Sequence, residues 1–204
     1  MESKVSLEVQ NLGKKFYHRW IFKDLSFKLA PSEQVAVVGS NGSGKSTLLH
    51  LLAGQALPTQ GKVAFQSEGK VLPRENWYRY LSWASPAMEI YTELSLKEHL
   101  RLHFSFNKCI LENPQDIVEV LKLEGHAHKP LRFFSSGMLQ KVKIGQAIFT
   151  HSSILLLDEP TSFMDEANSA LTLDLIQKFA NDRTLVIATN IEREHKLFKR
   201  HISL

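Results

Sequence analysis

Cysteine is nearly absent from this chain, and the single thiol, Cys109, among 204 residues excludes a disulfide framework and agrees with a reducing compartment. No run approaches the roughly 18 apolar residues of a membrane-spanning helix. The opening "MESKVSLEVQ" also lacks the pattern of a secretory leader. Neither sign of charge dominates: 25 Lys and Arg stand against 21 Asp and Glu, a net charge of +4 without a long basic run. A nucleic-acid partner is therefore not expected. The nine histidines do not fall at metal-ligand spacing, and "HAH" at 126 to 128 reads as two solvent-facing imidazoles in a loop. Repeats, low-complexity segments and linkers are missing as well. What remains is one domain's length of chain, enough to bury a core and too little for a second catalytic domain.

Against these absences stands "GSNGSGKST" at 39 to 47, which follows the apolar run "QVAVV" and opens an amphipathic segment. It fits G-x-x-x-x-G-K-[ST], the phosphate-binding P-loop. Glycines let successive N–H groups turn inward on an anion, and the helix that starts at Lys45 adds the positive end of its dipole. Gly39, Ser40, Asn41, Gly42, Ser43, Gly44, Lys45, Ser46 and Thr47 are the expected nucleotide cradle. Lys45 is expected to reach the β- and γ-phosphates, and the Ser46 hydroxyl to bind the accompanying Mg²⁺.

Val5, Leu7 and Val9 alternate with polar residues, as do Leu25, Phe27 and Leu29 beyond a turn-like "KKFYHRW". This predicts antiparallel strands before the P-loop strand. "KSTLLHLLAG" reads as a short helix with its C-cap at Ala53-Gly54, and "PTQG" turns into the strand "KVAF". From Leu94 helices take over, with a capping box at Ser95 and Glu98 and an N-cap at Asn113 before Pro114. A helix through "MLQKVKIGQAIF", the run "ILLLDEP", a helix from about Glu166 to Ala180, the strand "TLVIAT", a polar helix and "HISL" complete the alternation. The fold class is thus α/β, with a mainly parallel sheet, an N-terminal antiparallel β layer and a helical insert at about 92 to 148.

Asp158 and Glu159 end the apolar run at 154 to 157, at the carboxyl end of a strand, where open α/β sheets keep their ligands. Asp158 is expected to hold Mg²⁺ through its water shell. Glu159 is expected to orient and polarise the water that attacks the γ-phosphate.

The stretch "FFSSGMLQKVKIGQAIFTHSSILLLDEPTSFMD" resembles the block running from signature to D-loop in the ABC-type ATPases. The resemblance spans the whole chain, and it implies one P-loop NTPase domain that binds and hydrolyses ATP. Phe16 would stack on adenine, and Ser135, Ser136 and Gly137 would form the signature. Ser136 and Met138 depart from the usual glycine and glutamine. One chain cannot hold a γ-phosphate on both cradles if its helical insert separates them. The family solves this with a head-to-tail homodimer that closes on ATP and reopens after hydrolysis. The resemblance further implies a separate transmembrane transporter subunit, docked through residues about 84 to 100, and a cytoplasmic location on the inner face of the membrane. The shape of the chain is that of compact bacterial exporter subunits.

Two positions depart from the family. Asn190 stands where the family brings a switch histidine to the γ-phosphate, which implies a catalytic position; its amide can donate a hydrogen bond to a phosphate oxygen but cannot become cationic. Pro86 aligns with a glutamine that senses Mg²⁺ and water, and Glu89 is the nearby substitute. Two other readings stay open: a module that dimerises on ATP with little hydrolysis, and a soluble ABC-type ATPase outside transport.

Overall fold

The computed structural model describes residues 4–204. They form two compact units, the first made of residues up to Trp83 with Ser152–Glu159 and Ala180–Leu204, the second of Ala84–His151 and Pro160–Phe179.

The first unit carries two sheets. β1 (Val5–Phe16), β2 (Arg19–Leu29), β4 (Gln60–Ser67) and β5 (Lys70–Leu72) pair in the order β2-β1-β4-β5. The β1 pairs are antiparallel, with Leu7 facing Leu29 on one side and Phe65 on the other. Alternation works as expected here, since Val5, Leu7 and Val9 are buried and their neighbours are not. The turn is tighter than "KKFYHRW" suggests. Both strands run through that stretch, and only Tyr17 and His18 turn, with Tyr17 at φ 52°.

The second sheet joins β6 (Leu81–Ala84), β7 (Ile154–Asp158), β8 (Thr184–Thr189), β3 (Gln34–Val38) and β9 (Arg200–Ser203) in the order β6-β7-β8-β3-β9. The pairs β7–β8, β8–β3 and β3–β9 are parallel. Every residue of β7 and β8 is buried, which explains their unbroken apolar runs. α1 (Lys45–Leu52) leaves β3 and buries Leu48, Leu49, Leu51 and Leu52 in the same cluster as Val35, Val37, Leu156 and Val186. Each such side chain contributes about 1.5–3 kcal/mol by leaving water. This unit ends with α6 (Glu192–His195) and β9.

The second unit is helical: α2 (Leu96–Phe106), α3 (Asp116–Val120), α4 (Ser136–Phe149) and α5 (Glu166–Phe179). The capping box of α2 forms as expected, with Ser95 N donating to Glu98 Oε2 at 2.8 Å. The expected N-cap at Asn113 does not. α3 starts at Asp116, because the Asn113 Oδ1 accepts from Gln115 N at 3.1 Å and its Nδ2 donates to Asp116. That local bonding keeps residues 113–115 in a turn of their own. Among the described residues, no helix is long and apolar enough to cross a membrane.

Candidate nucleotide site

The phosphate loop occupies the carboxyl end of β3, between β8 and β9. Gly44 sits at φ 105° as the N-cap of α1 and offers no side-chain cap, so the first amides of the helix face outward without an internal acceptor. A Cβ there would come within 2.4 Å of Ile21 Cγ2. Only glycine fits both the dihedral and the space. Lys45 is buried, and its Nζ donates to the carbonyls of Gly39 at 3.0 Å and Ser40 at 3.1 Å. Those acceptors are neutral and do not cancel its charge. Ser40, Asn41, Gly42 and Ser46 are exposed on the loop, Gly39, Ser43 and Thr47 half-buried.

Asp158 closes β7, two strands away in the same sheet, and is buried. Burial pushes its carboxyl up, opposed by a hydrogen bond from the Ser46 hydroxyl. Its Oδ1 is buried without a hydrogen-bond partner. A buried carboxylate oxygen left bare is costly in a finished protein. A hydrated cation beside Ser46 would satisfy it, so the donor set fits magnesium: one hydroxyl and one carboxylate, already in contact. No cluster of three or more metal-ligating His, Cys, Asp or Glu occurs among the described residues. An ion here would take its remaining ligands from phosphate and water.

Glu159 follows at φ 43°, a left-handed conformation that a non-glycine residue adopts at a cost of about 1–3 kcal/mol. Its N–H donates to the Ala188 carbonyl at 2.8 Å, which ties the strained turn to β8. Such strain persists where a side chain must be aimed. Asn190 leaves the end of β8 exposed, and its Nδ2 donates to Asn41 Oδ1 at 2.7 Å. The sequence names both residues but not their contact. Phe16 is half exposed at the end of β1, with Lys14 Nζ 5.0 Å from its ring centre. The β1 lysine thus covers part of the ring.

In the second unit, Ser135 is the N-cap of α4 and its Oγ accepts from Met138 N at 3.2 Å. The helix begins at Ser136, two residues before the stretch expected from Met138. A Cβ on Gly137 would lie 2.7 Å from the Phe163 carbonyl oxygen, so this glycine is required for the close approach of the 161–165 loop. Pro86 contributes only its carbonyl, which accepts from Lys143 Nζ at 2.6 Å, and Glu89 is exposed. Glu89, Tyr91, His99, His103, Phe106 and Gln146 line a groove of about 250 Å³. Inside it, Gln146 Oε1 takes a hydrogen bond from His99 Nε2 at 2.7 Å. Because Thr150 Oγ1 already donates to the Gln146 carbonyl, it is the acceptor of the 2.8 Å bond to His103 Nε2. Both rings therefore carry their proton on Nε2. Sequence reasoning missed this pair, although an i, i+4 histidine spacing on one face of α2 signals it.

Residues 22–162, more than half of the chain, match the family model described as ABC transporter. The chain is 31% identical over 191 residues to the cytochrome c biogenesis ATP-binding export protein CcmA of Agrobacterium fabrum, covering 90% of this chain and 88% of that protein. It is equally 31% identical to the phospholipid-transporting ATPase ABCA3 of Homo sapiens, over 97% of this chain but 12% of that protein. Among solved structures, an ATP-binding subunit of an ABC transporter superposes with a TM-score of 0.82 at 26% identity, over 97% of this chain and 85% of that one. A cassette solved as a dimer in a post-hydrolysis state with ADP and Pi superposes at 0.83 and 20% identity, over 97% and 94%, which speaks for the fold. With the phosphate loop, the acidic strand end and the helical unit in place, the chain belongs to the ABC transporter family, as an ATP-binding ATPase domain.

Proposed function

We propose that this chain is the ATP-hydrolysing subunit of an exporter, closing as a head-to-tail pair around ATP and working a separate membrane-spanning protein. The observation that carries the reading is the strained Glu159 beside a buried Asp158, in the same sheet as the phosphate loop. Lys45 and the loop amides bind the triphosphate, and Phe16 offers one ring face to the adenine. Ser46 and Asp158 would hold magnesium, whose chemistry is to neutralise charge on the phosphate oxygens. Glu159 orients the attacking water and accepts its proton. Ser135, Ser136 and Gly137 of a second copy supply the other anion cradle. The export protein among the relatives supports the direction of transport. The membrane partner docks in the groove beside α2, where Tyr91 and Phe106 are largely exposed, and so keeps the subunit at the inner membrane face. The cargo is chosen by that partner. The rival reading, ATP-driven pairing with little turnover, draws on Asn190 and Pro86.

The test is Glu159→Gln. The amide keeps the shape but accepts no proton, so hydrolysis should fall at least about 100-fold while ATP binding is retained. Steady-state ATPase rates and calorimetry measure the two. A variant that hydrolyses at the parental rate removes Glu159 from the chemistry, and slow parental turnover with intact ATP-driven pairing favours the rival.

A further inference from the structure

We infer that Asn190 is a positioning residue, which acts on the nucleotide through Asn41 by tethering the crown of the phosphate loop before nucleotide arrives. The inference rests on residues 39–47 being the nucleotide cradle. β3 and β8 are parallel neighbours with Val38 opposite Thr189, so the two loops leave the sheet side by side. Thr189 Oγ1 accepts from Ile191 N at 2.9 Å, a tight turn that fixes the backbone on both sides of Asn190. The Asn190 amide then meets Asn41 across the gap at 2.7 Å.

The other bonds at the crown are local to the loop: Ser43 N donates to the Ser40 carbonyl at 3.1 Å, and Lys45 Nζ reaches the same carbonyl at 3.1 Å, while the tip at Gly42 packs on nothing. Gly42 stands at φ 81°, and a Cβ placed there would meet nothing within 4 Å. An unpacked glycine turn loses much conformational freedom when a ligand orders it. A side-chain bond that orders it in advance removes part of that cost. Through the N–H that it gives to Asn41, one of the two on its amide, Asn190 improves binding by the shape of the loop. Its effect does not depend on a γ-phosphate, so ADP and ATP should gain alike.

Two measurements test this on the full chain. In nucleotide-free protein, Asn190→Ala and Asn41→Ala should each speed amide hydrogen exchange at residues 40–43, and the double variant should add nothing further. In calorimetry, Asn190→Ala should weaken ADP and ATP by the same factor, about three- to tenfold, the size of one neutral hydrogen bond. That loss should vanish in an Asn41→Ala background and appear in KM rather than in kcat. Unchanged exchange, or independent and additive losses, would overturn the tether. So would a loss confined to ATP with a fall in kcat, which marks a direct γ-phosphate contact. If the parent binds no nucleotide, the cradle reading fails, and exchange alone still decides whether Asn190 holds the loop.

Discussion

Lys45 is the residue on which binding turns, since its buried ammonium is held by two neutral carbonyls. Lys45→Ala removes the point charge that a triphosphate requires and leaves only the backbone amides. Calorimetry should show no Mg-ATP binding by this variant at millimolar nucleotide, while the thermal midpoint, which measures folding, stays near that of the parent. Near-normal affinity would mean that the loop does not cradle phosphate. The loop and the acidic pair were legible because their chemistry is local: spacing alone places glycines, lysine and hydroxyl around one anion. The partner of Asn190 was not legible. It lies 149 residues away in sequence and is brought close by the register of β3 on β8. The strain at Glu159 was hidden for a similar reason, because a dihedral is set by the strand pairing around it.

At the scale of elements, α2 carries a titration that the groove makes visible. Burial, with His99 nearby, lowers the His103 pKa to about 4, and burial also lowers that of His99. The folded pKa lies below the unfolded value of about 6.5. The stability contributed by neutral His103 is therefore present above pH 6.5 and is lost as pH falls toward 4. Urea midpoints measured across that window should decline for the parent and decline less for His103→Gln, which cannot titrate. Identical slopes would place the acid sensitivity elsewhere. Elements with a strong period were readable, as the alternation of β1 and the capping box of α2 show. β5 and β6 were not, because each is only three or four residues long and defined by its neighbours in the sheet. Asn113 misled because the same side chain that caps helices also closes turns.

For the whole molecule, the question is whether two copies share each ATP. Ser135→Arg fills the second cradle with a long cation and should block pairing while leaving nucleotide binding to the single chain intact. Sedimentation of Glu159→Gln with saturating Mg-ATP should show a dimer, and the same variant carrying Ser135→Arg a monomer. A Glu159→Gln chain that stays monomeric at high protein concentration would sink the clamp.

The strand that bears the phosphate loop also sets a timetable. β3 is complete by residue 38, yet one neighbour, β8, is residues 184–189 and the other, β9, is residues 200–203. A ribosome makes the phosphate-binding segment first, but one edge of its strand stays open until residue 184 is translated and the other until residue 200. Until then the nascent protein carries the loop on an apolar strand with unpaired edges, a form prone to join the wrong neighbour. Nucleotide competence should therefore arrive abruptly with β9 and not grow with length, and chains stalled before residue 184 should need a chaperone rather than ATP.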